Sequence, residues 1–339
     1  MIKKNTNLHV AKQMKDDEFY TTYETIEKEI SHYKHHFENK VILCNCDDPL
    51  ESNFCKYFII NFATLKIKRL ICTSYASSKI SRTKYSNLSI KKNKRKGYLL
   101  DISKPLSKNT EYDFIEKCIV ENGCVQELEY DGDFRSAECI ELLKQSDIIV
   151  TNPPFSLFKE MVSLILEHNK DFLLIGSQNA LLYKEIFPLI QKGLVWTGYQ
   201  FGEMKFRVPN SSLPRKTRFW IDDEGNKWRS LGNAMWLTNL DNDLRHREIK
   251  FKRKYNPIDY PKYDSFDAIN VKTINDIPDD YYGIMGVPIT FINRFNREQF
   301  EIVGEANHGS DNEYDLFKPT INGKDIYKRI LIRRVKNEK

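Results

Sequence analysis

The sequence has no hydrophobic run that approaches the roughly 20 apolar residues a membrane helix needs. Its N-terminal segment also lacks the apolar core of a secretory signal, so we expect a cytoplasmic protein. The seven cysteines are an odd number and include no CxxC pair. Most lie in apolar segments, which indicates buried thiols in a reducing compartment and argues against a zinc site. Of the seven histidines, His32, His35 and His36 cluster in the polar segment HYKHHFE, which is more typical of a solvated surface than of a metal site. We therefore expect neither a metal centre nor membrane association.

Hydrophobic residues make up 40% of the 339 positions and aromatic residues 12%, which is enough for a packed core. The length exceeds what one core comfortably holds, so a large domain and a smaller one are expected. The net charge of +6 is mild but unevenly placed. Between Lys79 and Lys96 the chain carries basic residues and no acidic ones. Such a run is typical of a solvated loop and of a phosphate-binding loop, and by itself it decides neither.

Up to about residue 195 the chain alternates short apolar runs with segments whose apolar residues recur at helical spacing. Predicted strands cover 39–49, 68–75, 147–155 and 171–178, and predicted helices cover 52–65, 136–146 and 157–169. This order predicts an α/β fold with buried parallel strands joined by helical crossovers. The strand-like segments that follow predict an antiparallel extension of the sheet.

Three polar segments lie where predicted strands end: 45–49, 131–135 and 152–155. In open α/β sheets, ligands bind at the carboxyl ends of the strands. The three segments together therefore predict a binding site at that edge of the sheet.

The segment Asn152-Pro153-Pro154-Phe155 has a composition suited to one kind of chemistry. The two prolines make a rigid turn. An exocyclic amine on an aromatic base is a poor nucleophile until acceptors hold its two hydrogens and aim its lone pair. The Asn152 side-chain oxygen and the Pro153 carbonyl could be those acceptors. Phe155 offers a ring on which a planar base can stack. The structural alternative is a Pro-Pro turn that ends a buried strand, with Phe155 in the core.

At the end of a middle strand, Asn/Asp-Pro-Pro-Phe/Tyr is the signature of amino-group methyltransferases that use S-adenosylmethionine. Enzymes that act on adenine in DNA or RNA, guanine in ribosomal RNA and glutamine in proteins share this tetrapeptide. It indicates the chemistry and leaves the substrate open.

Over most of its length the sequence resembles the EcoRI-type adenine-specific DNA methyltransferase family of type II restriction–modification systems. The resemblance rests on segments that occur in this order: 17–21, 41–49, 52–58, 131–136, 146–158, 236–241, 260–271 and 283–301. It implies a Rossmann-like methyltransferase sheet with a smaller C-terminal DNA-recognition domain. Residues 1–241 would form the catalytic domain, with a basic loop inserted at about 76–98, and 242–339 the recognition region.

The resemblance also implies cofactor contacts. In the segment DEFYT, Phe19 and Tyr20 would pack on the cofactor and Thr21 would bind its carboxylate; the alternative is a helix start capped by Asp17. In DGDFRS, Asp133 would accept a hydrogen bond from the cofactor's adenine and Phe134 would stack on it; the alternative is a turn that caps a helix.

The segment VILCNCDDP occupies the position of the first cofactor motif but departs from the family pattern, because it has no GxG turn. Asn45, Asp47, Asp48 and Pro49 would then surround the cofactor, with one acidic side chain near its ammonium group. The second strand, KRLICTSY, lacks the usual terminal acid, so no ribose ligand is assigned.

The implied activity is methyl transfer to N6 of adenine in a short duplex DNA sequence, with a GAATTC-like site suggested by the family's name-bearing member. The target base would have to be flipped out of the helix. The basic runs 79–96 and 245–263 are candidate DNA contacts. A cognate restriction endonuclease is a possible functional partner, and we expect a monomer. RNA base methylation, protein-glutamine methylation and a non-enzymatic DNA-binding role remain alternatives.

Overall fold

The computed structural model describes residues 19–49, 51–76, 96–106, 123–210, 212–264, 266–306 and 319–335. The chain divides into two compact units. The first comprises residues 1–180 and 198–240, and the second comprises residues 181–197 and 241–339. The region 242–339 falls within the second unit, and residues 181–197 belong to it as well. No helix in the described ranges is long and apolar enough to cross a bilayer.

A ten-stranded sheet forms the centre of the first unit. Its strands are β1 (Tyr20–Thr21), β2 (Val41–Asn45), β3 (Arg69–Ser74), β4 (Tyr98–Ile102), β5 (Val125–Glu127), β6 (Ile148–Thr151), β7 (Asp171–Ser177), β8 (Trp196–Val208), β9 (Phe219–Ile221) and β10 (Lys227–Thr238). The spatial order is β1-β8-β10-β7-β6-β2-β3-β4-β5, and β9 pairs with β10.

The helices of this unit are α1 (Tyr23–Ile30), α2 (Asn53–Ile60), α3 (Ala137–Gln145) and α4 (Phe158–Glu167), with short 3₁₀ helices at Lys34–His36, Phe155–Leu157 and Gln178–Leu182. A hydroxyl caps each of the first three helices. Thr22 caps α1, Ser52 caps α2 and Ser136 caps α3, each by accepting from a backbone N–H of the first turn.

The four central strands, in the order β3-β2-β6-β7, pair in parallel. Strands β2 and β6 are buried along their whole length, as expected for strands covered on both faces. Helix α2 connects β2 to β3, and α4 connects β6 to β7. The predicted parallel α/β core is therefore confirmed. Strand β10 runs antiparallel to β7, as the later segments predicted, and β4 runs antiparallel to β3. The sheet is thus mixed.

The second unit contains a four-stranded sheet of order β11-β12-β16-β13 and a separate hairpin. These strands are β11 (Ala268–Asn270), β12 (Ile284–Pro288), β13 (Phe300–Ala306), β14 (Thr320–Ile321), β15 (Lys324–Asp325) and β16 (Arg329–Arg334). Its helices are α5 (Phe187–Gln191) and α6 (Asp243–His246), with 3₁₀ helices at Ile274–Asp276 and Ile289–Arg294. Arg245 lies 3.6 Å from the centre of the Trp196 ring and donates to the Gly193 carbonyl, which ties 181–197 to this unit.

A glycine fixes the loop 130–133 against the end of β3. The Ala76 N–H donates to the Asp131 carbonyl at 2.7 Å. Gly132 adopts a positive φ of 79°, and a Cβ atom there would lie 2.2 Å from the Ser74 carbonyl oxygen. Only glycine permits both this conformation and this approach.

We therefore expect Gly132→Ala to destabilise the protein more than Gly225→Ala does. Gly225 has a similar φ of 81°, but a Cβ atom there would meet nothing within 4 Å. Its substitution should cost the backbone strain alone, about 1–2 kcal/mol, and the clash at Gly132 should add ~1–3 kcal/mol. Urea unfolding of both variants measures the difference, and equal losses would contradict the close packing.

A buried carboxyl joins α1 to β8. Glu29 is fully buried, and its two oxygens accept from the backbone N–H groups of Tyr199 at 2.7 Å and Gln200 at 2.8 Å. The Tyr33 hydroxyl donates to it as well. A Cβ atom at Gly198 would lie 2.1 Å from this carboxyl, so the glycine makes room for the contact. Burial raises the pKa of Glu29 from 4.5 to about 7, although its hydrogen bonds act in the opposite direction.

The raised pKa of Glu29 predicts a pH-dependent stability. A carboxyl whose folded-state pKa lies above its unfolded value stabilises the fold at low pH, and this contribution is lost as pH rises from about 4.5 to about 7. The wild-type unfolding free energy should fall by up to about 3 kcal/mol through this window from this group. In Glu29→Gln the contribution of this group should be absent and the slope correspondingly smaller, whereas Glu38→Gln, in an exposed ion pair with Lys66, should keep the full wild-type slope. Urea unfolding across the pH range is the measurement.

Candidate active site

Three of the polar segments predicted from the sequence lie at one edge of the sheet. Because β2, β3 and β6 are parallel neighbours, their carboxyl ends lie together. Residues 45–49 continue from β2, and residues 152–155 continue from β6. The loop 131–133 is held against the end of β3 by the contacts of Gly132.

The Asn152 side chain is fixed on one side and unsatisfied on the other. Its Nδ2 donates to the Phe19 carbonyl at 2.6 Å and to the Thr21 hydroxyl at 3.2 Å. Because a carbonyl oxygen can only accept, the contact with Phe19 determines which amide atom is nitrogen. The Asn152 Oδ1 atom is buried and has no hydrogen-bond partner among the described residues. An unsatisfied buried acceptor costs about 1–3 kcal/mol, so a ligand that donates to Oδ1 would gain a favourable interaction.

The segment that holds Asn152 is itself anchored on two sides. Tyr20 and Thr21 pair with Arg207 and Phe206 of β8. The Thr21 carbonyl accepts from Asn53 Nδ2 at 2.7 Å, and Thr21 is 4% exposed. The structure thus places the predicted cofactor residues 19–21 beside the Asn-Pro-Pro-Phe turn. Asp17, the alternative cap, lies outside the described residues.

A cluster of two aromatic rings and a guanidinium lies beside the same turn. The Phe155 and Phe19 rings are 5.3 Å apart and tilted by 33°. The Arg229 guanidinium lies 5.2 Å from the Phe19 ring centre. The Pro154 carbonyl accepts from the Leu157 N–H, which begins the 3₁₀ turn, and the preceding Pro153 is buried. Phe155 is half-buried and packs against the margin of the hydrophobic core, so part of its ring is exposed.

The turn after β2 reproduces a glycine-like backbone without glycine. Cys46 adopts a positive φ of 74°, a conformation that costs a non-glycine residue roughly 1–3 kcal/mol and is frequent at functional sites. Next to it, Asn45 Nδ2 donates to the Met161 sulfur at 3.5 Å, and Asn45 Oδ1 is buried without a partner among the described residues. Thr73 Oγ1, near the end of β3, is also buried without a hydrogen-bond partner among the described residues.

The acidic pair of this turn is buried. Asp47 Oδ1 accepts from the Ser52 hydroxyl at 2.6 Å, and Asp47 Oδ2 lies 2.5 Å from the Thr151 hydroxyl oxygen. Asp47 therefore directs its carboxyl at α2 and β6. Asp48 and Pro49 are also buried and complete the turn.

The Asp133 carboxylate already has a partner within the protein. Arg135 donates to its two oxygens at 2.9 and 2.7 Å and also to Glu160 at 2.9 Å. The hydrogen bonds from Arg135 are the main reason that the pKa of Asp133 is lowered. The neighbouring Phe134 is buried, 4% exposed. The charge of Asp133 also contributes to the raised pKa of the Cys46 thiol, after burial and the charge of Asp47, so the two segments are close.

Two of the unsatisfied acceptors at this edge suit the cofactor that the resemblance implies. S-adenosylmethionine carries donors on its ammonium, ribose and adenine groups, and Asn45 Oδ1 and Thr73 Oγ1 could receive such donors, which leaves Asn152 Oδ1 for another ligand. No group of three metal-binding side chains occurs within the described ranges. Thr73, Thr151 and Arg229 were not assigned from the sequence, because their spacing along the chain gives no sign of where their side chains lie.

Comparison with known proteins agrees with the family resemblance. The model of the family described as "Adenine-specific methyltransferase EcoRI" matches residues 7–335. The chain is 45% identical over 339 residues to "Type II methyltransferase M.EcoRI" of Escherichia coli, which covers 99% of this chain and 98% of that protein. It is 36% identical over 299 residues to "Type II methyltransferase M.MpnI" of Mycoplasma pneumoniae, covering 86% and 83% of the two chains.

A solved structure of precorrin-8w decarboxylase from Methanobacterium thermoautotrophicum matches with a TM-score of 0.24 and 12% identity, over 64% of this chain and 88% of that one. This likeness is too weak to support any statement about fold or function. The family match spans nearly the whole chain and confirms the resemblance predicted from the sequence. The chain therefore belongs to the EcoRI family of adenine-specific methyltransferases and is a DNA methyltransferase.

Proposed function

We propose that the enzyme transfers a methyl group from S-adenosylmethionine to N6 of an adenine that is flipped out of a short duplex DNA site. The observation that supports this most directly is the Asn152 amide. Its nitrogen is held by Phe19 and Thr21, while its buried oxygen has no partner in the described chain. The oxygen is thus left for a hydrogen-bond donor that arrives with the substrate.

The adenine N6 amine has two hydrogens, and its lone pair is delocalised into the ring. When Asn152 Oδ1 and the Pro153 carbonyl accept these hydrogens, the nitrogen can become tetrahedral and direct its lone pair at the methyl carbon. Because an amide does not ionise, Asn152 positions the amine and does not act as a strong base. The proton lost from the methylated amine leaves to solvent.

The cofactor would lie along the same edge of the sheet. Asn45, Thr73 and Asp48 would accept from its donors, and Phe134 and the Asp133–Arg135 pair would flank its adenine. Phe19, Tyr20 and Thr21 would cover its methionine end, and Asp47 and Pro49 would shape the turn. When bound, S-adenosylmethionine supplies a sulfonium methyl group that is already activated for transfer.

The Phe155 ring would receive the flipped base. Flipping costs a few kcal/mol, and stacking on an aromatic ring returns roughly 1–3 kcal/mol per base. The ring of Phe155 is half-buried, with the Phe19 ring centre 5.3 Å away, and its exposed part would take the base.

We further propose a catalytic domain of residues 1–241 with a Rossmann-like sheet and a DNA-recognition region of residues 242–339. Within 245–263, the exposed cations Arg247, Lys250 and Lys252 would contact phosphates. The basic run 79–96 lies outside the described residues except for Lys96.

The relatives named type II methyltransferases support a role in a restriction–modification system, and we propose a GAATTC-like target, a cognate endonuclease that acts on the same site, and a monomeric enzyme. The alternatives of RNA base and protein-glutamine methylation use the same turn. Labelled cofactor offered to duplex DNA, RNA and protein fractions distinguishes these substrates.

Asn152→Ala should abolish methylation, because the amine then loses one of its acceptors, while duplex DNA binding stays largely intact. The measurement is single-molecule sequencing of DNA from cells that express the protein, scored for N6-methyladenine. We expect one short motif to be modified at near-complete occupancy in the wild type and not in the variant.

The matched control is Asn239→Ala. Asn239 also makes two hydrogen bonds, to Phe172 and Lys170, but at the amino end of β7, on the opposite edge of the sheet. The Asn239→Ala variant should be less stable than the wild type, and the DNA motif should still be methylated in cells that express it. Full methylation by Asn152→Ala would refute the catalytic assignment.

Phe155→Tyr should retain methyl transfer, whereas Phe155→Leu should reduce it by about ten- to a hundredfold, the loss expected from ~1–3 kcal/mol of stacking. Steady-state kinetics on a duplex and on a duplex with a mismatched target base measure this effect. Since a mismatched base is easier to flip, it should partly rescue Phe155→Leu. Equal defects on both substrates would indicate that Phe155 serves packing alone.

A further inference from the structure

One hydroxyl at the end of β6 lies between two acceptors. Thr151 Oγ1 is within hydrogen-bond distance of both the Asn45 carbonyl oxygen and Asp47 Oδ2, the latter at 2.5 Å. A threonine hydroxyl has one hydrogen and can donate it once. Two oxygen atoms this close repel each other unless a hydrogen lies between them. Because Thr151 supplies a hydrogen to only one of the two contacts, the other contact needs a hydrogen from the partner oxygen.

The surrounding groups determine where that proton is. The Asn45 carbonyl can only accept, so Thr151 donates to it, and Asp47 Oδ2 must carry the hydrogen of the other contact. The Ser52 hydroxyl accepts from the Phe54 N–H as the cap of α2, and its own hydrogen points at Asp47 Oδ1. The chain of donors then runs from Ser52 to Asp47, from Asp47 to Thr151 and from Thr151 to Asn45, and every hydrogen has an acceptor.

The environment of Asp47 favours a neutral carboxyl. Its neighbours are Ser52 and Cys55 from α2, Thr151 from β6, the Thr73 carbonyl from β3, and Cys46 and Asp48 from its own turn. The charged member of this set, Asp48, is negative, and within the described chain no lysine or arginine forms an ion pair with Asp47. Burial raises the pKa of Asp47 from 3.8 to about 7, and the charge of Asp48 adds to the shift.

We infer that Asp47 is held as a neutral acid and is a positioning residue, whose proton fixes Thr151 and so joins the end of β2 to the strand end that carries Asn152. Asp48 is then the acid that faces the cofactor's ammonium group. This inference deepens the proposed function and rests on it for the role of Asn152, but the protonation of Asp47 can be measured without methyl transfer.

Asp47→Asn is the sharpest test, because an asparagine has nearly the shape of the neutral acid and likewise carries one acceptor oxygen and one donor group, with a single additional hydrogen. Its oxygen accepts from Ser52 and its NH₂ donates to Thr151. At pH 6 the variant should melt at or above the temperature of the wild type and bind S-adenosylmethionine within about threefold of the wild type, whereas Asp48→Asn should weaken binding by about tenfold or more. The reverse pattern, with binding lost in Asp47→Asn and kept in Asp48→Asn, would overturn the inference.

Infrared difference spectra give a direct readout. The wild type minus Asp47→Asn should show the C=O stretch of a protonated carboxylic acid at pH 5 that disappears as the pH rises past about 7. As the pH rises from 3.8 to about 7, the melting temperature of the wild type should fall relative to Asp47→Asn, since a group with a raised folded-state pKa loses its stabilisation between its unfolded and folded pKa values. A spectrum with carboxylate bands alone at pH 5 would overturn the inference.

The positioning role is tested at Thr151. Thr151→Val keeps the shape and removes the hydroxyl, and should lower kcat by about ten- to a hundredfold with little change in KM for DNA or cofactor. Thr151→Ser should restore the rate. Equal rates in Val and Ser variants would refute positioning through the hydroxyl. If no N6-methyladenine forms even in the wild type while the infrared result holds, the proposed function fails and the protonation of Asp47 stands.

Discussion

The hydrogen bonds between the ends of β2 and β6 are the constraint on which the site depends. Parallel pairing brings the two strands side by side, but it leaves the loops that follow them free to diverge. Thr151 prevents this by contacting both the Asn45 carbonyl and the Asp47 carboxyl. Asn152, the next residue, therefore starts from a fixed backbone position.

The second constraint comes from the segment 19–21. It forms an edge strand with β8, accepts from Asn53 at the start of α2, and presents two acceptors to Asn152. The amide nitrogen is thus held by two oxygen acceptors, and the amide oxygen is buried without a hydrogen-bond partner among the described residues. The unsatisfied acceptors Asn45 Oδ1 and Thr73 Oγ1 lie at the ends of the neighbouring strands. Each unsatisfied acceptor lowers the stability of the unliganded protein, and a ligand that donates a hydrogen bond to it would offset that cost.

The turn after β2 shows how a backbone conformation typical of glycine can form when glycine is absent. A glycine-rich turn is expected there, and this chain has Asn45-Cys46-Asp47 instead. Cys46 nevertheless adopts the positive φ that glycine would take easily. The strain is tolerated because Asp47 is anchored on Ser52 and Thr151, and because its N–H donates to the Thr73 carbonyl of β3.

The sequence alone determined the parallel core, because hydrophobic periodicity specifies it. It also predicted a ligand-binding edge of the sheet and, from the local chemistry of Asn152-Pro153-Pro154-Phe155, residue types suited to amine methylation. The direction in which each polar side chain points was decided only by the tertiary structure. Asp47 faces the interior, and Asp133 is paired with Arg135. The Phe19 carbonyl holds the Asn152 amide, although Phe19 and Asn152 are 133 positions apart in the sequence. Such contacts depend on how distant segments pack around one sheet edge, and the order of residues along the chain carries no direct record of that packing.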